Sequence, residues 1–152
     1  YGVEPLLGPA ITRAAVEAAL ARVQLAHLSG HGAADGWSSS VRLAGGDALD
    51  VTDVLALPQV PEQVVLSACS TAADRGTTWD GAGLAHAFAL AGARQVVAAV
   101  RPVADTSAAQ IGEALHERGT MGDAAEALRR ARVGLRDAVP AVDLAAWRVI
   151  EP

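Results

Sequence analysis

Two side chains in this sequence have the chemistry of a nucleophile and its base. Cys69 is the only cysteine and closes the run QVVLSAC (63–69), while His31 lies in HLSGHG (27–32). An imidazole that takes a thiol proton, with backbone amides to hold an oxyanion, is the equipment of a cysteine peptidase. Gly32 follows the histidine and lets a backbone N–H approach a substrate carbonyl with no side chain in the way. The amide of Cys69 is the second candidate donor. A plainer reading stands beside this one. A free cysteine is among the most buried residue types, so Cys69 also fits a core thiol, and His31 fits a loop residue capping a turn.

The elements that must position this pair are readable from periodicity. Residues 23–28 (VQLAHL) form a short apolar run ending at the SGHG loop, and 63–68 (QVVLSA) form a second, with Cys69 directly after it. A third run, RQVVAAV (94–100), stops at Arg101-Pro102, and AWRVI (146–150) has the character of a last strand. Helices are expected over 12–22, capped by Thr12, and over 52–57, capped by Thr52 and stopped at Pro58. Further helices are expected over 83–92, closed by Gly92, and over about 105–118 and 121–138. SVRLAGGDALDV (40–51) reads as a hairpin turning at Gly45-Gly46. Buried strands alternating with helices imply an α/β protein whose mostly parallel sheet is covered on both faces. In such sheets working groups gather beyond the carboxyl ends of the strands, and both His31 and Cys69 fall at such ends. Adjacent strands lie about 4.8 Å apart, close enough for their end groups to face each other.

Composition narrows the function classes. At 152 residues the chain is expected to be one domain, and 51% hydrophobic content gives it a core. A net charge of −5 argues against a nucleic-acid partner. No apolar run approaches the roughly 20 residues of a membrane span. The 12 cationic residues are all arginine, which together with abundant alanine and glycine points to a G+C-rich, bacterial genome rather than to function. One cysteine makes no internal disulfide, so a reducing cytoplasm is the expected setting.

The remaining candidates have competing readings. His27 is expected as a buried strand histidine bonded to backbone, and His86 and His116 as surface or packing residues on helices. His27, His31 and Cys69 also suggest three zinc ligands, but no fourth is nearby and a His pair spaced by four across a strand end does not share one face. No metal or organic cofactor is therefore expected. Trp37, Trp79 and Asp80 suit either a substrate cleft or loop packing. In the segment 122–137, Glu126 and Arg130 stand at i, i+4, the pattern of a solvated helix face.

HLSGHG, VVLSACST and GLAHAFALAGARQVVAAVRPVAD, in that order, resemble the CHAT family of caspase-like and separase-like cysteine peptidases. The likeness runs from Leu6-Leu7-Gly8 to Trp147. It implies a three-layer α/β/α caspase-like fold, with residues 1–152 as the C-terminal, catalytic part of a domain whose first half lies elsewhere. By the resemblance His31 is the catalytic histidine, Cys69 the nucleophile and Gly32 an oxyanion-hole glycine. Asp105 then matches an acidic residue that receives a P1 arginine, a role that a carboxylate fills through two parallel hydrogen bonds; it also suits a cap for a helix starting near Thr106. The chain departs from the family in carrying Arg101 for a tryptophan and Ser70 for a glutamate. Ser67 stands where metacaspases carry an acidic pocket residue. The implied function is a cysteine endopeptidase acting on a protein or peptide, latent within a larger protein that supplies regulatory modules or partners. The alternative is a signalling scaffold with a relict Cys–His pair. A small-molecule hydrolase is disfavoured because no Gly-x-Ser-x-Gly elbow occurs.

Overall fold

The computed structural model describes residues 4–33, 39–68, 83–117 and 122–152. In chain order its elements are α1 (Arg13–Leu20), β1 (Leu25–Gly30), β2 (Gly32–Ala33), β3 (Ser40–Arg42), β4 (Ala48–Asp50), α2 (Val51–Leu55), β5 (Gln63–Ala68), α3 (Leu84–Leu90), β6 (Gln95–Ala99), α4 (Asp105–His116), α5 (Ala124–Gly134), α6 (Ala141–Leu144) and β7 (Trp147–Ile150). Each expected element is present, with ends displaced by a few residues.

Local chemistry explains those ends. Thr12 caps α1 as expected, its hydroxyl accepting from the Ala15 amide at 3.3 Å. The cap of α2 is Asp50, not Thr52. The Asp50 carboxylate accepts from the Asp53 amide and the Asp53 carboxylate from the Asp50 amide, each at 2.9 Å. Two orphan amides are satisfied reciprocally, which one threonine hydroxyl inside the helix does not achieve. Gly45 and Gly46 turn the β3–β4 hairpin with φ of 71° and 84°, in the left-handed region that glycine enters at no steric cost.

A four-stranded sheet has the order β1-β5-β6-β7, with β1, β5 and β6 parallel and β7 antiparallel to β6. The β2, β3 and β4 segments form a small antiparallel sheet beyond the carboxyl end of β1. Strand alternation splits the core in two. Val64, Leu66, Val96 and Ala98 face α1, α2 and α3, where they meet Leu20, Val54, Leu84 and Phe88. Val65, Val97, Ala99 and Trp147 face α4, α5 and α6, against Ile111, Leu115, Leu128 and Leu144. This is the three-layer α/β/α arrangement expected from the sequence. Apolar strands are compatible with a parallel sheet because both of its faces are dry.

Two arginine clusters tie elements together around the sheet. Arg13 of α1 bonds Asp47 at 2.7 Å and also pairs with Asp53, which ties the first helix to the hairpin and to α2. Beside the edge strand β7, Arg132 donates to the Leu144 carbonyl at 3.2 Å and to that of Trp147, while Arg148 donates to the Ala145 carbonyl. Arg101 donates to the Val142 carbonyl. The Val142, Leu144 and Ala145 carbonyls are ones that the end of α6 leaves without helical partners, and that of Trp147 belongs to β7. Asp50→Ala removes the reciprocal cap of α2 and is expected to cost about 1 kcal/mol, a fall in Tm of roughly 2–4 °C by thermal melting.

Candidate active site

The β1–β5 register sets where the candidate residues of β1, β5 and the sequence just after them fall. Leu25 stands opposite Gln63, and the pairing runs without a break to Gly30 opposite Ala68. His31 and Cys69 are the residues that come next in the sequence after this last pair. Cys69 lies outside the described residues, as do Ser70, Trp37, Trp79 and Asp80. His31 is exposed, and its backbone is held between β1 and β2, with its carbonyl accepting from the Arg42 amide at 2.9 Å. That bond places Gly32 and Val41 in a non-hydrogen-bonded pair of the β2–β3 ladder. The N–H of Gly32 therefore points away from β3.

Asp105 is exposed at the first position of α4. The capping position belongs to Ala104, so the capping reading of Asp105 gives way to a first-turn carboxylate favoured by the helix dipole. Arg101 is bound to the Val142 carbonyl, and among the described residues no ion pair joins it to Asp105. Asp105 is thus not neutralised by its neighbour in sequence. His86 is exposed on α3, as expected of a surface histidine.

His27 differs from expectation. It bonds side chains rather than backbone: its Nε2 lies 2.7 Å from Ser67 Oγ, and its Nδ1 lies 3.0 Å from Nε2 of His116. The two imidazoles are tilted by 37° with centroids 5.0 Å apart. His27 stands opposite Val65 and Ser67 opposite Ser29, so the His27–Ser67 bond crosses the strand pair diagonally toward the carboxyl ends. Helix α4 comes close enough here that a Cβ on Gly112 would sit 2.9 Å from His27 Cε1. Only glycine leaves room for the ring. The sequence signal was present: Gly112 and His116 are one helical turn apart and share a face.

Burial, and then the neighbouring His116, push the His27 pKa down to about 4; burial also lowers that of His116. His27 as a residue is nonetheless exposed, because β1 is an edge strand. The two descriptions concern different atoms. The proton responds to the packed ring between Ser67, His116 and Gly112, and solvent on the open side moderates the size of the shift. With both histidines neutral, each can donate from one nitrogen and accept at the other. Both ring nitrogens of His27 are engaged, and among the described residues no group of three His, Cys, Asp or Glu is arranged to hold a metal.

The layered sheet and the sequence runs HLSGHG and LSAC agree with comparison against known families, in which the CHAT domain matches residues 2–147. The chain belongs to the CHAT domain family. This makes its α/β fold caspase-like and relates it to the cysteine peptidases of that group. A comparison with curated proteins found no match. No helix among the described residues is long and apolar enough to cross a membrane.

The lowered pKa of His27 has a consequence for this CHAT domain's stability. The folded state resists protonation at His27 while the unfolded chain accepts it near 6.5, so the unfolded state binds more protons between pH 6.5 and about 4. The contribution is complete above pH 6.5 and is lost as the pH falls through that window. Urea titrations at pH 7.5, 6, 5 and 4 are expected to show this decline, with a shallower slope in His27→Gln.

Proposed function

We propose that this CHAT domain is a cysteine endopeptidase whose dyad is His31 and Cys69. The observation that carries the reading is the unbroken β1–β5 pairing up to Gly30 and Ala68, because each dyad residue is the next one in the sequence after that pair. In the proposed reaction His31 takes the proton of the Cys69 thiol, and the thiolate sulfur bonds to the scissile carbonyl carbon. The amides of Gly32 and Cys69 hold the resulting oxyanion, a role supported at Gly32 by an N–H directed away from β3. Collapse breaks the C–N bond, and His31 gives its proton to the leaving amine. Water then attacks the thioester, with His31 as base, and releases the acid product and the free thiol.

Asp105 serves this reading as the carboxylate for a P1 arginine. What supports it is its exposure and its freedom from Arg101. The substrate is a protein or peptide, activity is latent until a partner or ligand acts on the domain, and the setting is cytoplasmic.

The chain has a single thiol, so alkylation reports on Cys69 alone. Iodoacetamide at pH 6.5 is expected to modify the folded protein about tenfold or more faster than the unfolded chain, whose thiol has a pKa near 8.5. His31→Ala should remove the excess. Equal rates in folded and unfolded protein would sink the dyad. Cys69→Ala and His31→Ala are each expected to abolish peptide cleavage. Cleavage that persists in Cys69→Ala overturns the assignment, and a silent scaffold is indicated if the parent protein neither cleaves nor alkylates rapidly under any activating condition. Asp105→Asn should depress cleavage of an arginyl substrate more than that of its alanyl counterpart.

A further inference from the structure

We propose that Ser67, His27 and His116 form a hydrogen-bonded relay that holds the strand ends carrying the catalytic pair, with His27 as its central positioning residue. The proposal rests on the dyad reading above and adds residues that reading does not use.

The edge strand makes such a device necessary. Among the described residues β1 pairs within the main sheet with β5 alone. A strand held on one side is free to splay and twist, and any such movement displaces His31 relative to the end of β5. The relay opposes it at three points. His27 sits in the middle of β1, Ser67 is the penultimate residue of β5, and His116 is the last residue of α4. Bonds of 2.7 Å and 3.0 Å join them in one line. The line runs across the strand pair just before the residues that follow Gly30 and Ala68.

The relay is also costly enough to call for a reason. A glycine in the interior of a helix costs about 1 kcal/mol relative to alanine. Gly112 sits in the interior of the α4 helix, and its missing Cβ is what admits the His27 ring. A leucine or valine at position 27 would fill an edge strand without that concession. Polar groups in this place give direction, which apolar packing does not: a hydrogen bond fixes both distance and ring orientation.

Two proton arrangements satisfy the line. In one, His116 Nε2–H donates to His27 Nδ1, and His27 Nε2–H donates to Ser67 Oγ. In the other, Ser67 O–H donates to His27 Nε2, and His27 Nδ1–H donates to His116 Nε2. Both require neutral His27. Of the groups packed against it, Ser67 comes from β5, and Gly112 and His116 come from α4; among the described residues His116 is the one titratable group whose charge bears on it. A proton added to His27 leaves it two donors and no acceptor, so both arrangements are lost and Ser67 and His116 are left only to accept from it.

The test measures the iodoacetamide alkylation rate of Cys69 from pH 5 to 9 in the intact chain, for the parent, His31→Ala, Ser67→Ala, Ser67→Thr and His116→Gln, with melting curves alongside. The relay predicts that Ser67→Ala and His116→Gln slow alkylation at pH 7 by about 10- to 100-fold and change the pH at which the thiol becomes reactive, while both variants remain folded. Ser67→Thr keeps the hydroxyl and is expected to restore most of the rate. Profiles of Ser67→Ala and His116→Gln that superimpose on the parent's, with His31→Ala still impaired, overturn the relay and leave the dyad standing. A His31→Ala profile identical to the parent's removes the dyad, and the relay, having nothing to position, falls with it.

Discussion

The register between β1 and β5 is the constraint on which the rest depends. Side chains alternate across a sheet with a period of two, so a slip by one residue would turn His27 away from α4 and bring Leu28 in its place. It would also set His31 against a different residue of the neighbouring strand. Apolar faces on both sides resist that slip. Ala26 and Leu28 pack with the layer of α1, α2 and α3, and Leu25 packs with the layer of α4 and α5. The His27–Ser67 bond adds a polar fixture of definite length between the same two strands.

Neutrality is what lets two imidazoles share this space. Charged, they would repel across 3.0 Å in surroundings that hydrate them poorly; uncharged, each supplies one donor and one acceptor, and the line closes. The glycine at 112 and the histidine one turn later thus act as one unit. A larger residue at 112 would displace the ring, and the bond to His116 would go with it.

Most of the architecture was legible in the sequence, for physical reasons that can be named. Strands such as 63–68 announce themselves as branched apolar runs, and Gly92, Gly45 and Gly46 mark turns because few other residues accept positive φ. The cap of α2 was misassigned because Asp50 ends a strand in the sequence pattern, and a reciprocal pair of aspartates is not visible in a scan for single caps. The partners of His27 were missed for a deeper reason. A strand histidine usually finds backbone, whereas these partners come from an adjacent parallel strand and from a helix 89 residues further along. Only the folded register brings Ser67 and His116 to one ring. His31 and Asp105 were identifiable as candidates, but the direction of the Gly32 amide and the engagement of Arg101 by α6 needed coordinates.

The two outer strands are fastened by different chemistry. Beside β7, the carbonyls at the end of α6 are held by Arg101, Arg132 and Arg148. Guanidinium groups stay protonated throughout the pH range in which proteins remain folded. The histidine line at β1 has no such immunity. Mild acid therefore acts unevenly on this molecule, reaching the margin that bears His31 while leaving the arginine-bound margin untouched.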